Sequence, residues 1–229
     1  MSTRGVLVTG ATRGLGREVA SELLARGDRV FVTGRNRDAV ERTVADLGGD
    51  AVGVRLDVTD QASVDEAADA VREHVDALDV LVNNAGIDYD TWQQAVTADL
   101  TVVDAALATN LMGAWRVTLA FLPLLHRSEH PRIVNVSSES GSISEMTGGT
   151  PAYAVSKAAL NALTRLLAGE LSSSGFLVNA ACPGWIATDM GGPGGRPVAQ
   201  GAASILWAVD LADDGPTGGY FRDGRALPW

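Results

Sequence analysis

Val6-Leu7-Val8-Thr9-Gly10-Ala11-Thr12-Arg13-Gly14-Leu15-Gly16 runs from a short apolar stretch, through three glycines, into an amphipathic segment. The pattern reads as a strand over Gly5–Thr9, a tight turn, and a helix over Gly16–Arg26. Glycines at such a turn let backbone N–H groups approach a diphosphate at the positive end of the helix. The spacing is Gly-x-x-x-Gly-x-Gly, so the common Gly-x-Gly-x-x-Gly dinucleotide fingerprint is not matched. Taken alone, the stretch also fits a tight connection with no ligand.

Outward from the turn, apolar runs alternate with helix-length segments almost to the end of the chain. Strands are expected at Arg29–Thr33, Ala51–Leu56, Val80–Asn83, Arg132–Ser137, Phe176–Cys182 and Gly219–Phe221. Helices are expected at Arg37–Leu47, Gln61–Asp76, Leu100–Leu125, Tyr153–Ser172 and Val198–Asp210. Most of the strands are near-continuous hydrophobic runs, as when helices cover both faces of a parallel sheet. The implied fold is α/β: a doubly wound, Rossmann-like parallel sheet of about seven strands, helices on both faces. Without a linker, repeat or charge block, residues 1–229 read as one domain. The Gly/Pro-rich run Gly191–Pro197 follows the sixth strand at the edge where ligands bind such sheets. Residues 188–200 are therefore either an idle surface loop or a mobile substrate lid.

Composition narrows the partners. The 229 residues are 46% hydrophobic and 20% charged, with net charge -10, an ordinary globular balance. No basic stretch interrupts the acidity, which argues against nucleic acid and anionic membrane as partners. Cys182 is the one cysteine, so there is no intrachain disulfide and no cysteine metal cluster. His74, His126 and His130 show no ligand spacing, and no metal is expected. The run from Met1 into the first strand leads us to expect no secretory signal, and no apolar run is expected to approach the roughly 18 residues of a membrane helix. The cytoplasm is the default compartment.

The second strand narrows the ligand. A site preferring NAD would end that strand with Asp or Glu for the ribose 2′-hydroxyl. Here it ends Thr33-Gly34-Arg35-Asn36, with an arginine and no carboxylate. Arg13 in the glycine turn is a second cation for the same corner. Guanidinium forks suit a 2′-phosphate, so NADP(H) is expected over NAD(H), although either arginine alone could simply be solvated. Asp57, beside Val58 at the end of the third strand, is placed either to read an adenine amino group or to cap a helix.

Further along stand Asn83-Asn84-Ala85-Gly86, Asn110, Ser138-Glu139-Ser140-Gly141, Tyr153 with Lys157, and Pro183-Gly184 through Thr188. With Thr9–Gly16, this ordered set resembles the short-chain dehydrogenase/reductase superfamily across nearly the whole chain. Cys182–Met190 and Gly215–Phe221 are similar to its carbonyl-reductase branch. The resemblance implies a catalytic tetrad of Asn110, Ser138, Tyr153 and Lys157. It places the cofactor against Gly10, Thr12, Arg13, Gly14, Leu15 and Gly16, against Arg35, Asp57 and Val58, and on a floor of Asn84, Ala85 and Gly86. Pro183, Gly184, Ile186 and Thr188 would hold the nicotinamide side.

Tyr153 and Lys157 are four apart and project from one helix face. A free tyrosine, with a pKa near 10, is too weak an acid for proton transfer near neutrality, and a lysine cation beside it favours phenolate. Tyr153 would then protonate the developing alkoxide, and, as the resemblance implies, Lys157 would also hold the nicotinamide ribose. Ser138, at the end of the fifth strand, would polarise the carbonyl. Ser137 and Ser140 compete with it by position, and the Ser-x-x-Gly spacing of the family selects Ser138. Asn110 is a poor helix former inside a long helix. It is either the holder of a relay water beside Lys157, as the resemblance implies, or a satisfied polar group between helices.

Substrate walls are expected from Asp88–Trp92, Gly141–Thr150 and Trp185–Gly195. They carry no cluster of Arg or Lys, which disfavours a phosphorylated or coenzyme A substrate and leaves a small uncharged ketone or aldehyde. Tyr153 follows Ser138 by only 15 positions, so a long insertion that keeps some animal members monomeric is absent. Pairing through the helices carrying Asn110 and Tyr153, as homodimer or homotetramer, is implied by the resemblance, and a monomer stays open. Carbonyl reduction is the leading reading. An NADP-linked secondary-alcohol dehydrogenase working oxidatively is its alternative, and a non-catalytic NADP(H)-sensing module is a third.

Overall fold

A computed structural model of the chain describes residues 3–87 and 89–229. Its eight strands form one sheet: β1 (Gly5–Val8), β2 (Arg29–Gly34), β3 (Ala51–Arg55), β4 (Val80–Asn83), β5 (Arg132–Val136), β6 (Leu177–Ala181), β7 (Tyr220–Arg222) and β8 (Arg225–Ala226). Their order is β3-β2-β1-β4-β5-β6-β7-β8. Every pair is parallel except β7 with β8. Topology reverses beside β1, the point at which an open α/β sheet offers a crevice for ligands.

Side-chain alternation explains the apolar runs. Leu7, Phe31, Leu81, Ile133 and Val178 point to one face of the sheet, where α3 (Gln61–Arg72), α5 (Ala114–Leu125) and α6 (Pro151–Leu171) bury them with Val64, Phe121 and Leu163. Val6, Val8, Val30, Val32, Val80, Val82 and Val134 point to the other, against α1 (Gly14–Ala25) and α7 (Val198–Val209) through Val19, Leu23, Ile205 and Leu206. With both faces covered, neither set can be polar.

Helix α2 (Arg37–Leu47) keeps its expected bounds, whereas α3 stops at Arg72 rather than Asp76. The eighth strand was not expected: Asp223 (φ 51°) and Gly224 (φ 75°) make a two-residue turn that folds Arg225–Ala226 back along β7. Leu100–Leu125 is one continuous helical rod but not one α-helix. Between α4 (Leu100–Ala106) and α5, Leu107–Gly113 widens into a π-turn that contains Asn110. This rod also corrects the expectation that no run nears membrane-span length: it has 26 residues and a best-window mean hydropathy of 1.2. Its inner face, Val117, Phe121, Leu124 and Leu125, belongs to the core, and a long core helix reaches such values.

Candidate active site

A cleft of about 1050 Å³ opens along the carboxyl ends of β1 to β6. One end is lined by Gly10, Thr12, Arg13, Gly14, Leu15, Gly16, Gly34, Arg35, Asp57 and Val58. Helix α1 starts there at Arg13, with no side-chain cap and no acidic residue in its first turn. Its first N–H groups therefore give this end of the cleft a positive, donor-rich wall. Asn84 ties the turn to β4, its Nδ2 donating to the Thr9 carbonyl (2.8 Å) and the Gly10 carbonyl (3.2 Å). A β-carbon on Gly16 would collide with that Asn84 amide and with the Gly10 carbonyl, which explains the third glycine. Thr9, not singled out in the sequence, is the hub of the junction: its Oγ1 accepts from the N–H groups of Asn84 and Ala85, both at 2.9 Å.

Arg35 is exposed at the rim. Arg13 pairs with Asp189 across the mouth of the cleft (3.2 Å). Asp57 does not cap α3; Asp60 does, accepting from Ala62 N–H at 3.1 Å. Asp57 Oδ1 instead accepts from the N–H (3.0 Å) and hydroxyl (2.7 Å) of Thr59. Burial opposes the charge on Asp57, but the Thr59 bonds, with Arg35 and Arg55 nearby, hold the carboxyl below its ordinary range.

The other end is lined by Asn84, Ala85, Gly86, Ser138, Tyr153, Lys157, Pro183, Gly184, Ile186 and Thr188. Lys157 Nζ donates to the Val136 carbonyl (2.8 Å) and lies 5.6 Å from the centre of the Tyr153 ring. Ser138 lies two residues past the end of β5, and its Oγ accepts from Ser140 N–H at 3.3 Å. Ser137 and Ser140 also line the cleft, but the Ser137 hydroxyl is turned inward, donating to Asn161 Oδ1 at 2.6 Å. The Ser-x-x-Gly spacing has a packing cause: a β-carbon on Gly141 would lie 2.7 Å from the Lys157 backbone.

The electrostatics differ from expectation at the tyrosine. Burial pushes the Tyr153 phenol up to about 12, against a smaller downward pull from the Ser138 hydroxyl. Burial also drives Lys157 down to about 8. Sequence spacing suggested a phenol lowered by its lysine neighbour. The amine is instead largely shut off from water and engaged with a carbonyl, and desolvation outweighs its charge.

Asn110 is buried and does not line the cleft. Its Oδ1 accepts from Ile87 N–H (2.8 Å), and its Nδ2 donates to Ser156 Oγ (2.9 Å) and the Ile87 carbonyl (3.2 Å). Asn110 Oδ1 and Lys157 Nζ both lie within 4 Å of the point a Gly86 β-carbon would occupy.

Of the expected substrate walls, Tyr89 and Thr91 line the cleft, as do Trp185 and Met190–Gly192. Tyr89 packs edge-on against the Tyr153 ring, centroids 5.3 Å apart. Asp88 lies outside the described residues. Gly141–Thr150 does not line the cleft: Ser142 Oγ donates to the Pro228 carbonyl (2.9 Å) and Ser144 N–H to that of Trp229 (3.0 Å), drawing the loop toward the last residues. In the Gly/Pro-rich loop, Trp185 Nε1 donates to the Gly191 carbonyl (2.7 Å), and a β-carbon on Gly194 would lie 2.8 Å from its indole.

The chain is similar to known proteins in sequence and fold. The short chain dehydrogenase family model matches residues 4–196. The 3-oxoacyl-[acyl-carrier-protein] reductase of Escherichia coli is 35% identical over 184 residues, 80% of this chain and 74% of that protein. The NADPH-bound carbonyl reductase from chicken fatty liver superposes with a TM-score of 0.90 at 32% identity, covering 100% of both chains. The carbonyl reductase Sniffer of D. melanogaster does so with 0.89 at 30% identity, again over 100% of both. Motif order, sheet topology and these likenesses lead to one assignment: the chain belongs to the short chain dehydrogenase family and is an oxidoreductase of alcohol and carbonyl groups.

Proposed function

We propose that the protein uses NADPH to reduce the carbonyl group of a small, uncharged ketone or aldehyde, in a reaction that is reversible in principle. The observation that carries this is a single cleft with a donor-rich, arginine-flanked wall at one end and Tyr153, Ser138 and Lys157 at the other. The uncapped start of α1 fits a diphosphate, and Arg13 and Arg35, without a carboxylate at the end of β2, fit a 2′-phosphate. Asp57 and Val58 would lie on the adenine side of the bound cofactor, Asn84, Ala85 and Gly86 would form its floor, and Pro183, Gly184, Ile186 and Thr188 would hold the nicotinamide side. The chicken enzyme, which carries NADPH, supports the same choice.

The bound cofactor supplies the hydride. Tyr153, protonated near neutrality with its pKa near 12, gives its phenolic proton to the carbonyl oxygen as negative charge builds there. Ser138 donates a hydrogen bond to that oxygen. Lys157, when charged, makes the phenol a stronger acid and would bind the ribose hydroxyls, and Asn110, whose Oδ1 stands beside Gly86 as Lys157 Nζ does, would hold a relay water. Among the described residues, Lys157 is the one cation lining the catalytic end of the cleft, which supports an uncharged substrate. Residues 188–200 serve as the flap, with Trp185 seating the loop. The same reading includes self-association through the exposed apolar faces of α5 and α6.

The test is a panel of ketones and aldehydes followed by NADPH absorbance, with Tyr153→Phe beside the parent. The variant should bind NADPH nearly as well while turnover falls by roughly 10²–10⁴-fold, the usual worth of a positioned acid. Undiminished reduction by Tyr153→Phe would overturn the mechanism.

A further inference from the structure

Helix α6 starts without a local cap. Thr150 precedes it in a left-handed conformation (φ 46°) and makes no side-chain capping bond, and Pro151 has no N–H to satisfy. The next two donors, Ala152 and Tyr153 N–H, are met from 62 and 63 residues upstream: Asp90 Oδ2 accepts the first at 2.9 Å and Oδ1 the second at 3.0 Å. Asp90 has no exposed surface. Gln93 Nε2 adds a third donor at 3.3 Å, and Gln93 Oε1 accepts from Asp99 N–H (2.7 Å), tying the cap to the start of α4.

We propose that Asp90 is a positioning residue for the reaction: its buried carboxylate caps α6 from a distance and sets the catalytic tyrosine against the wall of the substrate site. The inference rests on the reading of Tyr153 as the acid. Charge-assisted bonds to helix N–H groups are stronger than neutral ones, and the negative charge sits at the positive end of the dipole. Tyr153 is thereby held at both ends of its backbone, Asp90 on its N–H and Ser156 Oγ donating to its carbonyl at 2.8 Å. The residue before Asp90 is Tyr89, whose ring stands edge-on to that of Tyr153. One carboxylate therefore fixes the acid and the wall together. Without it, two N–H groups lose their acceptor and the first turn of α6, where the tyrosine sits, can shift.

The experiment compares Asp90→Asn, Asp90→Glu and Tyr153→Phe with the parent, measuring kcat, KM, NADPH affinity by fluorescence, and melting temperature. In Asp90→Asn an amide NH₂ faces one of the two backbone donors. Its kcat should fall about 10- to 100-fold, the scale of a misplacement near 1 Å, at a temperature where the variant remains folded. NADPH affinity should be nearly unchanged, because the α1 end of the cleft is untouched. A purely structural role would lower the melting temperature and leave kcat alone. Asp90→Glu keeps the charge on a longer arm, so its kcat should fall between those of parent and Asn variant. Parent-level kcat in folded Asp90→Asn overturns the proposal. If Asp90→Asn does not fold, parent-level kcat in Asp90→Glu overturns it instead. If Tyr153→Phe is inactive while Asp90→Asn turns over normally, only the positioning role is lost; if Tyr153→Phe stays active, both readings fall.

Discussion

Lys157 and Tyr153 are placed so that burial acts on them in opposite senses, and the consequence is a direction in pH. Burial destabilises the charged form of each, moving the lysine down to about 8 and the phenol up to about 12. Below about pH 8 Lys157 carries its proton, and the cation beside the ring eases proton donation by Tyr153. As pH rises through that value the cation is lost and the phenol becomes a poorer acid. We predict that kcat/KM for reduction, which reports groups of the free enzyme, is flat below this point and falls above it. Initial rates in overlapping buffers will show it, and a rate that climbs through the same interval would contradict the assignment. The four-residue spacing placed both side chains on one helix face. It did not give depth, and depth sets both values: the lysine reaches the Val136 carbonyl, while the ring is enclosed between Tyr89 and Ser138.

At the scale of elements, strands could be read because both sheet faces are apolar, so hydrophobic runs mark β1 to β6 directly. Their ends were less legible, since an edge is fixed by which neighbour it pairs with. The widened turn around Asn110 carries side-chain bonds to Ile87 and Ser156, distant partners that no local pattern announces. The start of α6 is less legible: the sequence places it at Tyr153, whereas the helix begins at Pro151 and takes its cap from Asp90. The junction of β2 and α2 is simpler. Asn36 Oδ1 accepts from Ala39 N–H (2.9 Å) and begins α2 just after Arg35, leaving that guanidinium at the rim of the cleft. Arg35→Asp should therefore raise KM for NADPH and lower it for NADH, through loss of a phosphate partner and added repulsion. An unchanged ratio of kcat/KM for the two cofactors would remove Arg35 from the 2′-phosphate site.

Across the whole molecule, the layers that bury the sheet leave one helical face uncovered. Met112, Trp115 and Leu119, spaced to share a side of the rod from the π-turn into α5, are 38%, 37% and 55% exposed. On α6, which packs against that rod, Val155 and Leu166 are 47% and 58% exposed, three helical turns apart on one side. Apolar side chains gathered on neighbouring helices differ from apolar residues scattered singly, and they mark a surface suited to association. Both helices also carry the candidate site, through Asn110 on one and Tyr153 with Lys157 on the other, so a contact there would brace the reaction centre from behind. We predict that the parent sediments as a dimer or tetramer at micromolar concentration. Trp115→Glu, which places a charge in the middle of the stripe, should shift it toward the mass of one subunit with the fold intact by circular dichroism. A parent that sediments as a single subunit would show that this face stays in water, and would leave α5 and α6 to hold the site by their packing against the sheet alone.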